Sequence, residues 1–228
     1  PGTMVAERFR VLDVLGEGGF GVVYLAEEIV LGRLIALKVL RRVRQARNPA
    51  EYEAGFLREA HAAGRIDHPG VACVYDYGIW DETGNPWIAL EWLRGRDLAC
   101  ELTRRGALRP ARALARMREL LDVLAVAHQK GIVHKDIKPP NLFLVNVGSD
   151  AERISLLDFG IARIVSDDAL RETLARELLG TPHYLPPEYL RDLVVTPAFD
   201  VYQCGLVFAE MLIGQPVLAN LNHADAMS

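Results

Sequence analysis

A glycine-rich run constrains this chain more than any other feature. Gly16-Glu17-Gly18-Gly19-Phe20-Gly21 lies between two segments that read as β-strands, Val11–Leu15 and Val22–Ala26. Glycine lets backbone N–H groups approach phosphate oxygens with no Cβ in the way. With Val22-Val23 the spacing is G-x-G-x-x-G-x-V. A dinucleotide-binding turn of similar spacing must open a helix. Here Val22-Val23-Tyr24-Leu25 follows, a β-forming run, so the pattern implies a hairpin and excludes that turn. By itself the run is equally an ordinary glycine-rich hairpin turn.

The surrounding pattern predicts two regions. Leu34–Leu40, Val71–Tyr77 and Trp87–Trp92 read as further strands. A helix is expected after Asn48 as cap, with Pro49 at its first position, Glu51 three residues after the cap and Gly64 at its end. Beyond residue 97, helix dominates. Pro110–Lys130 carries Leu114, Met117, Leu121 and Leu124 at helical spacing, with Gly131 as a stop. Asp200–Ile213 reads as a helix capped by Asp200 and ended by Gly214. Short strand-like pieces, Leu142–Val145 and Ile154–Leu157, and a polar stretch over 162–181 lie between them. The expected architecture is α+β: a sheet-rich lobe with one helix over 1–92, a linker over 93–97 and a mostly helical lobe over 98–228. Ligands favour the cleft between such lobes.

Composition narrows the class. At 228 residues the chain is long enough to bury a core without disulfide or metal staples. Hydrophobic residues are 50% and charged residues 25%, so a disordered or fibrous chain is excluded. The formal net charge of −4 provides no basic field for nucleic acid. The longest stretch free of Asp, Glu, Lys and Arg, Met211–Ala224, is too short to span a bilayer and holds Gly214 and Pro216. Cys73, Cys100 and Cys204 are odd in number and widely spaced, which suits a reducing cytoplasm better than a disulfide framework.

Several polar residues stand where a bland reading leaves them unexplained. Lys38 interrupts the apolar run Ile35-Ala36-Leu37-Lys38-Val39-Leu40 and would suit a cation reaching phosphates. Glu59, on the expected helix beside Phe56 and Ala63, is the anion that could hold it. The strongest signal is His134-Lys135-Asp136-Ile137-Lys138-Pro139-Pro140-Asn141. From this one loop Asp136 can take or orient the proton of an attacking hydroxyl. Lys138 can neutralise charge on a transferring phosphoryl group. The oxygen of Asn141 can hold Mg²⁺, as can the carboxylate of Asp158 in Asp158-Phe159-Gly160. Singly, each is an ordinary surface charge; in this order they form a phosphoryl-transfer set.

On these motifs the chain resembles the eukaryotic-type protein kinase family, as a bacterial Ser/Thr member, from Val11 to about Pro216. The resemblance implies ATP and Mg²⁺ as cofactors and a Ser/Thr-bearing protein as acceptor. It implies phosphate contacts from the loop of Gly16, Gly18 and Gly21, and a Lys38–Glu59 ion pair. Adenine would meet the backbone of Glu91–Leu93 beside Leu90 and lie between Val23, Ala36 and Phe143; Asp97 would reach the ribose. His134, Phe159 and Ala63 would pack as a spine, and Asp200 would anchor the catalytic-loop backbone. Thr181, in Gly180-Thr181-Pro182, would sit near Asp136 and Lys138 and shape the acceptor site. The alternative readings are a pseudokinase-like scaffold that binds nucleotide or a partner without transfer, and a small-molecule phosphotransferase.

Departures from the family pattern carry their own expectations. Lys135 replaces the usual arginine, and Glu177 stands where relatives carry a phosphorylated threonine, so Lys135 and Glu177 are expected to pair directly. Thr173 and Ser166 are the other phosphorylation candidates. Pro140 replaces a glutamate, so no strong demand for an arginine upstream of the acceptor is expected. Helices that follow the Asp200 helix in relatives are missing, as is an arginine partner for Glu188. This predicts a C-terminally short domain, a covering partner or poor stability, and a possible regulatory region beyond view.

Overall fold

The computed structural model describes residues 2–18, 21–40, 54, 56–57, 60–61, 63–80, 82–157 and 184–218. They fall into two compact units: the described parts of Pro1–Asp67 with Ala72–Leu93, and those of His68–Val71 with Arg94 onward.

The first unit is an antiparallel sheet. Its strands are β1 (Met4–Val5), β2 (Phe9–Gly18), β3 (Gly21–Glu28), β4 (Arg33–Leu40), β5 (Val74–Trp80) and β6 (Asn85–Glu91), in the order β1-β2-β3-β4-β6-β5. The period of two along β4 sorts its side chains. Ile35, Leu37 and Val39 join Phe9, Val11, Ala26, Trp87 and Ala89 in the core, with the rings of Phe9 and Trp87 edge to face at 5.0 Å. Ala36 and Lys38 therefore face the other way. The expected strands at 34–40 and 87–92 are present within one or two residues. The strand expected at Val71–Tyr77 begins instead at Val74, and Val71 forms an isolated bridge to Leu156 in the second unit. Ala54, Phe56, Leu57, Ala60, His61, Ala63 and Gly64 are helical; the proposed cap at Asn48 lies outside the described residues.

The second unit joins a three-stranded sheet, β7 (Gly95–Asp97), β8 (Leu142–Val145) and β9 (Arg153–Leu156), to helices α1 (Leu98–Arg105), α2 (Pro110–Gln129), α3 (Pro187–Asp192) and α4 (Pro197–Ile213). A short 3₁₀ turn, Pro139–Asn141, precedes β8. In α2 the buried stripe is Ala113, Met117, Leu120, Val123, Leu124 and Ala127. Of the four apolar residues noted at helical spacing, Met117 and Leu124 are buried, whereas Leu114 and Leu121 are exposed. The packed face extends from Met117 and Leu124 toward Ala113, Leu120 and Ala127, on the side away from Leu114 and Leu121. Helix α4 begins earlier than expected, with Thr196 at the cap and Pro197 in the first turn. Asp200 is thus inside the helix and not its cap, while Gly214, at φ 80°, ends the helix as expected. Cys204 and Met211 are core residues.

A partly buried ionic cluster ties α1 and α2 to the β8–β9 turn. Arg112 donates to Glu101 at 2.7 Å and, through two nitrogens, to Glu152 at 2.8 and 2.9 Å. Burial alone would raise the Glu152 carboxyl's pKa. Hydrogen bonds from Arg112 and the Gly148 N–H, with the charges of Arg112 and Arg116, hold it below the ordinary value.

Candidate active site

The hairpin that carries the glycine run is β2–β3, closed by the Gly18–Gly21 pair. The three glycines differ physically. A Cβ on Gly16 or Gly18 would meet nothing within 4 Å, so the fold leaves those positions open for a ligand to approach. A Cβ on Gly21 would lie 2.2 Å from the Val39 carbonyl oxygen of β4, so glycine there is demanded by the sheet itself.

Pairing across the sheet gathers the expected nucleotide-contact residues. Val23 pairs with Lys38, Lys38 with Ile88, and Ala36 with Leu25 and Leu90. Paired residues share a face. Val23, Ala36, Lys38 and Leu90 therefore lie on one side, opposite the core side of Ile35 and Leu37. Lys38 is buried. At the end of β6, Glu91 turns its N–H to the Cys73 carbonyl at 2.8 Å, and Glu91 and Leu93 are half-buried. Glu59 lies outside the described residues, as do Asp158 and Thr181, and Glu177, Thr173 and Ser166 with them.

In the second unit Asp97 and Phe143 are paired across β7 and β8. Asp97 also caps α1, its Oδ1 accepting from the Cys100 N–H at 2.7 Å. Phe143 is half-exposed between the buried Leu142 and Leu144.

The loop before β8 brings Asp136, Lys138 and Asn141 together. Lys138 Nζ is 3.0 Å from Asp136 Oδ1. Asn141 Nδ2 donates to Asp136 Oδ2 at 2.8 Å and to the Asp136 carbonyl at 2.7 Å. With its NH₂ committed to Asp136, the Asn141 amide directs its oxygen away from that carboxylate. A neutral hard oxygen donor of this kind suits Mg²⁺, which binds few protein ligands and completes its shell with phosphate and water.

The loop is held from α4. Asp200, fully buried, accepts from the His134 N–H at 2.9 Å and the Lys135 N–H at 2.8 Å, and from His128 Nε2 at 2.7 Å. Two backbone donors converge on this carboxylate, so His128 must also donate to it. Lys135 has φ 68°, a left-handed conformation that a non-glycine residue holds only when its surroundings over-determine it. His134 is buried, with Nε2 at 2.9 Å from the Leu157 carbonyl.

Sequence reasoning did not find His128, Gln203, Tyr184 or Glu210. The signal was present in α4, where Asp200, Gln203 and Glu210 interrupt the apolar face of Phe199, Cys204, Val207 and Met211. Glu188 is only half-buried, so the cost of leaving it without an arginine is smaller than full burial would impose.

The family model of the protein kinase domain matches residues 9–228. The chain belongs to the protein kinase family. It is 38% identical over 214 residues to the serine/threonine-protein kinase PrkC of Bacillus subtilis, covering 94% of this chain and 32% of that protein. To the serine/threonine-protein kinase PknB of Mycobacterium tuberculosis it is 35% identical over 214 residues, covering 93% and 33%. The chain thus spans about a third of the length of these curated relatives. The crystal structure of the Mycobacterium tuberculosis PknI kinase domain superposes with a TM-score of 0.72 at 30% identity, covering 94% of this chain and 77% of that one. Membership brings ATP and a divalent metal as the family's general requirements. Among the described residues no helix is long and apolar enough to cross a membrane.

Proposed function

We propose that the chain transfers the γ-phosphoryl group of ATP to serine or threonine hydroxyls of proteins, with Mg²⁺ as the metal. The observation that carries this is the Asp136–Lys138–Asn141 constellation, formed within one loop and pinned by Asp200. In this reading residues 1–92 hold the nucleotide, 93–97 link, and 98–228 carry the catalytic and acceptor segments. Gly16, Gly18 and Gly21 present backbone to phosphates, Lys38 supplies a cation held by Glu59, and Val23, Ala36 and Phe143 pack on the base. Glu91 and Leu93 offer backbone groups to its edge, and Asp97 its second carboxylate oxygen to the ribose.

Asp136 accepts the proton of the attacking hydroxyl. Lys138 meets its Oδ1 and Asn141 its Oδ2, which fix the direction of the carboxylate. The hydroxyl oxygen bonds to the γ-phosphorus as the bond to the ADP oxygen breaks. Lys138, 3.0 Å from Asp136, can balance charge on the phosphoryl oxygens as transfer proceeds. Asn141 and Asp158 would hold the metal, which would supply charge neutralisation at the phosphates when bound. Thr181 shapes the acceptor site and Lys138 favours Ser/Thr over Tyr. The family relatives named serine/threonine-protein kinases support this choice.

The test is intact mass after incubation with ATP and Mg²⁺, with and without a generic protein acceptor, beside Asp136→Ala. Added phosphates on serine or threonine that vanish in the variant and on metal chelation support the proposal. Phosphate uptake equal in both proteins, or none in either, overturns it.

A further inference from the structure

Gln203 is 1% exposed and sits one turn along α4 from Asp200. Its side chain makes no bond to another side chain among the described residues; all three of its hydrogen bonds go to backbone. Oε1 accepts from the Ile137 N–H at 2.8 Å. Nε2 donates to the Tyr184 carbonyl at 3.1 Å and, more weakly, to the Lys135 carbonyl at 3.4 Å. These partners determine which end of the amide is oxygen, since one N–H and two carbonyls face it. Ile137 and Lys135 flank Asp136 on both sides. Tyr184 lies three residues after Thr181, and its hydroxyl donates to Glu210 two turns further along the same helix.

We propose that Gln203 is a positioning residue that holds the loop of Asp136 and the acceptor-side segment of Tyr184 in one register. Asp200 captures the N–H groups of His134 and Lys135. Gln203 captures the other side of Lys135 and the N–H of Ile137. The left-handed Lys135 is thereby held through both its N–H and its carbonyl, and the direction of the Asp136 side chain follows from that peptide. Only an amide can serve all three backbone groups. A hydroxyl is too short to span them, a carboxylate cannot donate, and a thioether cannot donate and accepts only weakly. The role rests on the kinase reading, since it positions the base proposed there.

The experiment compares the unmodified chain with Gln203→Met, which keeps volume without the polar ends, and Gln203→Glu, which keeps only the acceptor. The measurements are kcat and KM for a protein acceptor, the dissociation constant for ADP, and amide hydrogen exchange at Ile137 against Leu144 in β8. A misplacement of the reacting groups on the scale of 1 Å costs on the order of 100-fold. The expected result is kcat lowered about 10- to 100-fold in both variants with ADP affinity within about twofold. Ile137 exchange accelerates at least about tenfold in Gln203→Met and stays slow in Gln203→Glu, which retains its acceptor. If Gln203→Met matches the unmodified chain in turnover, or leaves Ile137 exchange unchanged relative to Leu144, the proposal is overturned. If the unmodified chain transfers no phosphate, the kinase reading fails, and the exchange arm still decides whether Gln203 holds the loop.

Discussion

Asp200→Asn tests whether α4 or the loop's own sequence sets the catalytic-loop backbone. The carboxylate receives three donors, at 2.9, 2.8 and 2.7 Å. An asparagine offers one oxygen and an NH₂. With the oxygen kept at the Oδ2 position, the NH₂ opposes the Lys135 N–H. Losing that charge-assisted bond and leaving the donor buried costs about 2 kcal/mol. The bonds from His134 and His128 fall to neutral strength, about 1 kcal/mol each. Lys135 is then free to leave its left-handed conformation, which recovers about 1 kcal/mol. The net expectation is about 3 kcal/mol, and the hydrogen bonds outweigh the strain. Trp80, Trp87 and Trp92 all lie in the first unit, whereas α1 to α4 belong to the second. Urea unfolding followed by far-UV circular dichroism therefore weights the second unit, and tryptophan fluorescence reports the first. With a urea slope of about 2 kcal/mol per molar, the dichroism midpoint should fall by about 1.5 M while the fluorescence midpoint moves little. A dichroism shift below about 0.3 M would refute the reasoning and mean that the loop holds its own shape.

Three other expectations follow from the same geometry. Gly21→Ala should lower the urea midpoint of the first unit, by about 1–3 kcal/mol of overpacking, because its Cβ meets the Val39 oxygen at 2.2 Å. Gly16→Ala and Gly18→Ala, which meet nothing within 4 Å, should leave the midpoint unchanged and weaken only nucleotide affinity; equal midpoints in all three variants contradict this. Burial, with a smaller contribution from the charge of Asp200, pushes the Cys204 thiol up to about 12. At pH 8 its thiolate fraction is about one in ten thousand, so iodoacetamide should label the exposed Cys73 and spare Cys204 until urea unfolds the chain. In the first unit, burial raises the Glu28 carboxyl, but hydrogen bonds from Arg8 and Arg33 outweigh it and hold its pKa below the ordinary 4.5. Its stabilising contribution is complete above that value and is lost as pH falls through the depressed one. The fluorescence midpoint should decline below about pH 4.5, and Arg8→Met should lower it at pH 7 and flatten the acid decline; parallel curves count against the assignment.

Much of the site was legible because phosphoryl transfer needs particular residue types at close spacing. Asp136, Lys138 and Asn141 come from one loop, so adjacency in sequence already implied adjacency in space, and Lys138 does sit against Asp136. Alternation in β4 likewise put Ala36 and Lys38 on one face before any pairing was known, because a strand has a period of two. The helical face of α2 was harder to read. Leu114 and Leu121 satisfy the helical period as well as Ala113 and Leu120 do, and only the neighbours decide which stripe is covered.

The amino-acid sequence by itself determined the family, the glycine hairpin and the order of the candidate catalytic residues, since each depends on local chemistry and short spacing. It also pointed to Asp200 as the anchor of the loop, through the family resemblance, but only the tertiary structure revealed His128 and Gln203 beside it. Asp200 and Gln203 reach the loop from α4, each bonding to a backbone N–H 66 residues away along the chain, and His128 of α2 braces Asp200. A buried polar residue does not name its partner until packing brings a backbone group to it, because any unpaired N–H or carbonyl in the interior would satisfy it equally well.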